Sequence, residues 1–306
     1  MQDKRFFIQE VEYFKDYRDN LVYGLTVHEI LETKLVSLGY YYDDQGFGIP
    51  EDLFYYSEDF IEKFISKKGK VDYVKIDSSL NYYDACEHIR MEINVAHMEN
   101  QVKIMSVAST YIDYSVKIAP GAVIYPNTYL EGESYIQENT LIGPESIIRD
   151  SWIGPNSVVL KSVVEESKIG QECTIGPFTY IRPGTDLSKQ VKAGTFVELK
   201  NAKVEEGTKI PHLSYVGDAI VGKNSNISAG VITANYDGKN KHTTKVGDHV
   251  FVGCNSTLIA PVELESNVYV AAGSQIVEDV KSGSLAIARS YQVNKEGWVE
   301  KTGRKK

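Results

Sequence analysis

An aliphatic residue recurs every six positions along most of residues 118–276, and this pattern organises the rest of the chain. The first run passes through Ile118, Ile124 and Leu130, and the last run ends at Ile276. Such a period matches neither the helix, with about 3.6 residues per turn, nor the strand, with a repeat of about two. The position after the aliphatic is often glycine, and the fifth position is small, as in the segment 142–146 (IGPES). Each hexapeptide therefore predicts one short strand and one turn, with its aliphatic side chain inside and its small residue at a corner.

Three such hexapeptides would close one coil, and coils would stack at the strand spacing of about 4.8 Å. The sequence thus predicts an all-β main domain, a parallel β-helix over residues 101–280. The alternative is a β-sandwich, but its strand-and-turn periods are longer and less uniform than this strict repeat. A β-helix presents flat faces with a few exposed apolar residues, and closed association about a threefold axis would bury them.

Residues 1–79 do not share the repeat and predict a small unit that is either mixed α/β or mostly helical. Thr26 and Glu29 have the spacing of a capping box, and an apolar helical face follows them. A second helix is predicted from Ser57 and a strand over residues 71–76. The predicted buried face of that second helix consists of Phe60, Ile61, Phe64 and Ile65. We find no phosphate-binding glycine loop in this unit, and its sequence indicates no role.

Two further segments flank the repeat. Residues 80–100 predict a connecting helix, with Ala85, Ile89 and Ile93 along one side. Residues 281–306 form a C-terminal tail with a basic end, which in most proteins is simply solvated but can also hold a phosphate-bearing ligand.

Composition narrows the function classes. The 306 residues carry a formal net charge of −9, which argues against a nucleic-acid backbone as the partner. Cys86, Cys173 and Cys254 are scattered, so neither a disulfide framework nor a zinc site is predicted. The chain has no apolar signal core and no run near the roughly 18 apolar residues that a membrane span needs. We therefore expect a cytoplasmic protein without membrane insertion.

The most polar break in the repeat is the segment 234–245 (ANYDGKNKHTTK). A coil can insert a loop only at a corner, and loops that leave a rigid scaffold often carry function. The alternative interpretation is a solvated surface hairpin, and the segment alone does not decide between the two.

From about Tyr82 to Trp298 the chain resembles the acetyltransferase half of the bifunctional N-acetylglucosamine-1-phosphate uridyltransferase / glucosamine-1-phosphate acetyltransferase family. The most specific likeness is the segment 212–218 (HLSYVGD) followed by the loop 235–241 (NYDGKNK), which ends a matching stretch over residues 226–241. The other matching segments are 90–98, 110–113, 123–126, 181–184, 196–200, 251–253, 258–262, 271–274 and 285–289.

The resemblance implies a left-handed winding of the β-helix, a homotrimer, and transfer of acetyl from acetyl-CoA to the amine of glucosamine 1-phosphate. It implies no metal for this half-reaction. His212 matches the general base of the family, and the near-neutral pKa typical of histidine suits that role. A lone histidine is more often structural, but the HLSY context favours catalysis.

The resemblance also implies a binding site for the sugar phosphate. Arg182 and Lys200 match phosphate ligands, and a guanidinium suits a phosphate because it offers a fork of donors. Tyr215, Asn226 and Lys241 match groups that hold the phosphate and the sugar. Surface ion pairing is the alternative interpretation of Arg182 and Lys200.

The acetyl-CoA contacts implied by the resemblance are small residues and one cation. Ala229, Cys254 and Ala272 are small, as close approach of a pantetheine arm requires, and Arg289 can meet a phosphate. Asn235 and Tyr236 open the loop beside the cofactor. Direct transfer in a ternary complex is implied, without an acetylated cysteine.

The chain departs from the family in two respects. The glycine-rich loop of the uridyltransferase half has no counterpart, so we expect no uridyltransferase activity. Ser228 and Val231 stand where the family usually has glycine and threonine, which puts the affinity for acetyl-CoA in doubt.

Three functions follow as alternatives. The first is N-acetylation of glucosamine 1-phosphate in the synthesis of UDP-N-acetylglucosamine and the cell wall. The second is N-acetylation of another amino sugar phosphate or of a nucleotide sugar. The third is a non-catalytic scaffold that only binds a sugar phosphate.

Overall fold

The structure is a computed structural model, and it describes residues 5–9, 22–42, 47–50, 61–62, 65–66 and 78–304. The strand predicted over 71–76 lies outside these residues, as do Ser57, Phe60 and Phe64 of the predicted second helix. Ile61 and Ile65, from the same predicted helix, are helical in conformation and buried.

The N-terminal part contains a helix and a small parallel sheet. Helix α1 spans Val27–Ser37, and its capping box is confirmed. The Glu29 amide donates to Thr26 Oγ1 at 3.3 Å, while the Thr26 amide donates to the Glu29 carboxylate at 2.7 Å. In the described part of the sheet, strand Arg5–Gln9 lies between Tyr41–Tyr42 and Phe47–Pro50, parallel to both.

Helix α2, Ser79–Glu99, joins this part of the chain to the first coil of repeats. Lys34 Nζ of α1 lies 2.6 Å from Glu92 Oε2 of α2. On the other side of α2, the Asn94 amide group donates to the Thr110 carbonyl at 3.0 Å. The helix therefore packs between α1 and the start of the solenoid.

From residue 103 onward the chain winds through three faces in strict succession. Among the described residues, face 1 is an eleven-stranded parallel sheet, while faces 2 and 3 are joined in a seventeen-stranded one. Face 1 consists of Lys103–Ile104, Val123–Ile124, Leu141–Ile142, Val158–Val159, Thr174–Ile175, Lys192–Thr195, Lys209–His212, Asn226–Ile227, Phe251–Val252, Tyr269–Val270 and Leu285–Ala286. Face 2 consists of Thr110–Ile112, Thr128–Glu131, Ile147–Arg149, Val163–Glu165, Tyr180–Ile181, the first halves of Glu198–Val204 and Tyr215–Val221, and Ile232–Ala234, Thr257–Ile259 and Gln275–Ile276. Face 3 consists of Lys117–Ile118, Tyr135–Ile136, Trp152–Ile153, Lys168–Ile169, Asp186–Leu187, the second halves of the two long strands, and Thr244–Val246 and Val262–Leu264.

The recurring aliphatic residues fill the interior of this three-sided prism. On face 1, Ile142 pairs in register with Ile124 on one coil and Val159 on the next, and all three are fully buried. Each coil thus adds one apolar layer to a continuous core. The parallel β-helix of hexapeptide repeats predicted from the sequence is confirmed.

The small residues at the corners do more than let the chain bend. Ser151 and Ser167 are buried at one corner on successive coils, and the Ser167 amide donates to Ser151 Oγ at 3.1 Å. The Ser151 amide in turn lies 3.3 Å from Ser134 Oγ of the coil before. Backbone amides at the corners cannot form the hydrogen bonds of the parallel sheets, and the rows of hydroxyl groups accept from them instead.

The tail beyond the last face-1 strand ends in the short helix α3, Trp298–Lys301. Arg304 lies over the Trp298 ring, 4.9 Å from its centroid. Among the helices that the structure describes, none combines the length and apolar character that crossing a bilayer demands.

Candidate functional site

The register of face 2 brings predicted phosphate ligands together. Tyr180 pairs with Glu198, and Ile181 pairs with Leu199, so the next residues of each strand, Arg182 and Lys200, stand on neighbouring coils at the same position. Neighbouring strands lie about 4.8 Å apart. Two cations predicted on separate hexapeptides are therefore side by side on one outer surface.

Arg182 is held by a carboxylate. Its Nη1 donates to Glu198 Oε1 at 2.8 Å, and this hydrogen bond raises the pKa of the guanidinium. The surface ion pair that was the alternative interpretation is thus present. A guanidinium has five N–H donors, so pairing with one carboxylate oxygen leaves donors for a ligand.

Lys200 and Lys241 come together although 41 positions separate them in the chain. The Lys200 ammonium is near enough to the Lys241 amine to repel its charge, which lowers the pKa of Lys241. Asp218 opposes the repulsion from nearby. Two like charges held near each other create a strong local field for an anion, and a dianionic phosphate would relieve their repulsion.

Tyr215 lies along its own strand toward the two lysines. A Cβ built on Gly217 would stand 2.3 Å from Tyr215 Oη and 2.5 Å from its Cζ, so the ring occupies the space over the glycine. Gly217 is the register partner of Lys200. The phenol hydroxyl is thus positioned beside the lysine pair because residue 217 has no side chain.

Gly217→Ala is expected to raise the KM for a phosphorylated acceptor by about tenfold, because its Cβ displaces the Tyr215 hydroxyl and removes one hydrogen bond to a charged group. The fold should persist, since Gly217 does not have a positive φ and the clash is with a movable ring. Steady-state kinetics checks the value, with Tyr215→Phe as the matched variant. Both changes should raise KM equally, and the double variant should raise it no further; a wild-type KM in Gly217→Ala contradicts the arrangement.

Two residues of this region were missed by the sequence reasoning, Glu198 and Asp218. Asp218 accepts from the Asn201 amide group at 2.7 Å and from the amide group of Asn235 on the next coil. Its carboxylate therefore fixes the base of the polar loop that carries Lys241. Ladder partners along the outside of the coil lie 16 to 18 positions apart, as Arg182 and Glu198 do, so opposite charges at that spacing were the available signal.

His212 lies at the corner between faces 1 and 2. It ends the strand Lys209–His212, and its side chain is exposed rather than packed in the interior. The neighbouring backbone is fixed, since the Leu213 amide donates to the Thr195 carbonyl at 2.9 Å and Ser214 Oγ donates to the His212 carbonyl at 2.9 Å. The imidazole is therefore accessible to a substrate on a rigid support.

The same corner carries four of the six residues predicted to contact acetyl-CoA. His212 pairs with Thr195 below it, and the register of face 1 places Ala229, Cys254 and Ala272 above it on successive coils. Cys254 and Ala272 are exposed. Arg289 closes the row, with its Cδ 3.7 Å from the position of a Cβ on Gly273. The row forms a path of small side chains from an imidazole to a guanidinium.

Three predicted site residues lie away from the His212 row, and two of them belong to the hairpin that carries Lys241. Asn226 is on face 1, where its amide group donates to Ser228 Oγ at 3.0 Å. Asn235 and Tyr236 lie at the corner between faces 2 and 3, across face 2 from the His212 row. A single chain therefore supplies the phosphate cluster and the His212 row but does not surround one ligand with all twelve predicted residues.

The two residues that depart from the related pattern, Ser228 and Val231, are both buried. The Ser228 carbonyl accepts from Ser214 Oγ at 3.0 Å. The Ser228 hydroxyl accepts from the Asn226 amide group at 3.0 Å, so both the side chain and the backbone of Ser228 are fixed next to Ala229.

Comparison with known proteins gives relatives by sequence and by fold. A family model described as "Hexapeptide repeat of succinyl-transferase" matches residues 243–277. The chain is 46% identical over 233 residues to the bifunctional protein GlmU of Clostridium beijerinckii, covering 76% of this chain and 51% of that protein. It is 48% identical over 254 residues to the bifunctional protein GlmU of Caldanaerobacter subterraneus subsp. tengcongensis, covering 80% of this chain and 56% of that protein.

Among solved structures, LpxA from Acinetobacter baumannii aligns with a TM-score of 0.24 and 22% identity, covering 61% of this chain and 71% of that one. The chain spans about half the length of the curated relatives it matches. Within the ranges that the structure describes, no group of three or more histidine, cysteine, aspartate or glutamate side chains is arranged to hold a metal ion.

Proposed function

We propose that this chain, which is related through its C-terminal region to the bifunctional GlmU proteins, transfers acetyl from acetyl-CoA to the amine of glucosamine 1-phosphate. The observation that carries the proposal is the group of cations Arg182, Lys200 and Lys241 at one side of face 2, with His212 exposed at the corner on the other side of that face. A sugar phosphate needs fixed positive charge, and an amine acceptor needs a base near it.

In the proposed reaction, His212 accepts a proton and the cations of face 2 bind the phosphate. The neutral amine attacks the thioester carbonyl of acetyl-CoA, so that a C–N bond forms and the C–S bond breaks. His212 takes the proton that the amine releases, and the CoA sulfur leaves as a thiolate that is then protonated. Arg182, Lys200, Lys241 and the Tyr215 hydroxyl hold the phosphate and orient the sugar, which lowers the entropic part of the barrier.

Acetyl-CoA is proposed to lie along the row of Ala229, Cys254 and Ala272, with a phosphate of its nucleotide part at Arg289. A row of small side chains permits close approach of an extended pantetheine arm. Because this row ends at His212, the thioester would arrive next to the base.

A homotrimer is proposed to complete the site. Phe178, Phe196 and Leu213 are 53–63% exposed at the corner beside His212, and the two phenyl rings stack with centroids 5.5 Å apart. Contiguous exposed apolar groups of this kind are typical of an interface. A second copy covering this corner would also bring its own Asn226 or Asn235 to a site that one chain leaves open.

Thiol release from acetyl-CoA tests the reaction, with glucosamine 1-phosphate compared against glucosamine 6-phosphate, free glucosamine and a UDP-linked amino sugar. We expect kcat/KM to be highest for glucosamine 1-phosphate. A higher value for the UDP-linked sugar would reject the proposed acceptor while keeping acetyl transfer, and no turnover with any acceptor would reject the enzyme. Sedimentation of the same preparation measures the proposed trimer independently.

A further inference from the structure

The loop that presents Lys241 is a hairpin closed from inside by one carboxylate. Asp237 Oδ1 accepts from the backbone amides of Lys239 at 2.8 Å and Asn240 at 2.6 Å. The Asp237 amide donates in turn to the Asn240 carbonyl at 3.1 Å. One carboxylate oxygen therefore fixes the turn, and the other is left for a further partner.

That further partner is His242. Its Nε2 lies 2.7 Å from Asp237 Oδ2, with the imidazole 32% exposed and the aspartate side chain 44% exposed. The amide of Asn240, the imidazole of His242 and the amide of Lys239 together lower the pKa of Asp237 to about 2. The carboxylate thus stays ionised, as an acceptor only, at every pH at which the protein would work.

His242 is also fixed through its backbone. Its amide donates to the Asn235 carbonyl at 2.8 Å, and the adjacent Lys241 pairs with Tyr236 across the hairpin. Asn235 is in turn held by Asp218 at the corner of the coil. His242 therefore connects the turn of the hairpin, at Asp237, to the start of the hairpin at Asn235, which is fixed on the solenoid by Asp218.

Lys241 lies between these two fixed points. Its charge is repelled by that of nearby Lys200, and this repulsion would push a mobile loop away from the face. A rigid hairpin holds the second cation in place against this repulsion before any phosphate arrives. Pre-organisation of this kind raises affinity because less is lost in ordering the loop on binding.

We propose that His242 is a positioning residue, which locks the hairpin of residues 235–242 through Asp237 and so fixes where Lys241 is presented to the phosphate of the acceptor. The inference rests on the proposed function, since it assigns Lys241 to that phosphate. It adds a residue that touches neither the acceptor nor acetyl-CoA.

Three variants at this position separate positioning from mere packing. His242→Phe removes the donor to Asp237 and should raise the KM for glucosamine 1-phosphate by about two- to fivefold, the range expected for an exposed pair. Because the imidazole contacts Asp237 of the hairpin and has no part in the proposed proton transfer, kcat and the KM for acetyl-CoA should not change. His242→Gln keeps an N–H donor and should restore the KM, whereas His242→Leu should behave as His242→Phe does.

Lys245→Ala is the matched control, because it removes a nearby exposed cation that pairs with Glu263 at 3.6 Å on face 3. Its KM should equal that of the wild type. Hydrogen exchange of the hairpin amides should quicken in His242→Phe and not in Lys245→Ala. A wild-type KM in His242→Phe, or equal loss in His242→Gln and His242→Phe, would overturn the inference.

Inorganic phosphate, titrated by ³¹P NMR, distinguishes this inference from the proposed function. If the wild type binds phosphate but turns over no glucosamine 1-phosphate, the proposed function fails while the same comparison of variants still tests His242. If the wild type binds no phosphate, both fail together.

Discussion

His212→Ala is expected to lower kcat for acetyl transfer by about 10²- to 10⁴-fold, the usual contribution of a positioned general base. The KM values for acetyl-CoA and for glucosamine 1-phosphate should change little, because the phosphate cluster of face 2 and the row of small residues above His212 remain. The amine must lose a proton as it attacks, and in the variant only water can accept it. Thiol release at saturating concentrations of both substrates measures the loss.

The structure supports this expectation, because the His212 imidazole is exposed at a corner whose backbone is hydrogen-bonded to the coils on both sides. His249→Asn is the matched control, since His249 is an exposed histidine at a different corner. It has a φ of 55°, a conformation that asparagine tolerates, so the control should not strain the chain. A kcat in His212→Ala close to that of His249→Asn would remove His212 from the mechanism and favour a scaffold that only binds.

The interior of this protein was predictable because a six-residue period leaves little freedom. Once Ile124 is inside, Ile142 on the next coil, three hexapeptides later, must also be inside, and one wrong phase would turn every aliphatic outward. The capping box of α1 is likewise a local pattern, in which Thr26 and Glu29, three positions apart, meet across the first turn of the helix.

The outer surface was less predictable, since a period tells which side chains point outward but not which of them meet. Whether two outward-pointing side chains lie side by side depends on the length of each coil, and coil length varies when a hexapeptide loses a residue. Arg182 and Lys200 could be placed on one site only through a resemblance, and the register that sets Arg182 beside Lys200 and Lys200 beside Gly217 came from the structure. The proximity of Lys200 and Lys241 depends in addition on how a hairpin folds, which no periodicity describes.

The hairpin shows the same limit at closer range. Its turn at Asp237 and Gly238 was evident from the residue types, and the interpretation as a plain solvated hairpin was open. The structure shows instead a turn whose carboxylate has backbone partners and a histidine partner. A histidine five positions from an aspartate gives no signal by itself, because that spacing brings two side chains together only in particular turn geometries.

Lys200→Met is expected to raise the KM for glucosamine 1-phosphate by about 10- to 100-fold, because it removes a hydrogen bond between two charged groups. The KM for acetyl-CoA should not change. The variant should also change the pH dependence, since Lys200 is what lowers the pKa of Lys241. A lysine with a lowered pKa loses its charge earlier as the pH rises, so phosphate binding in the wild type should weaken on the alkaline side before an ordinary lysine would titrate.

Removing Lys200 takes away the repelling charge, so the pKa of Lys241 returns toward its usual range and the alkaline fall of kcat/KM should move to higher pH. The variant should therefore bind the acceptor more weakly but lose kcat/KM only at higher pH. This combination distinguishes a coupled pair from two independent surface lysines. Lys203→Met is the control, because Lys203 is exposed on the same strand but lies on face 3. A weaker affinity without the change in the alkaline limb would mean that Lys241 does not meet Lys200 in solution, and the phosphate would then be held by Arg182 and Lys200 alone.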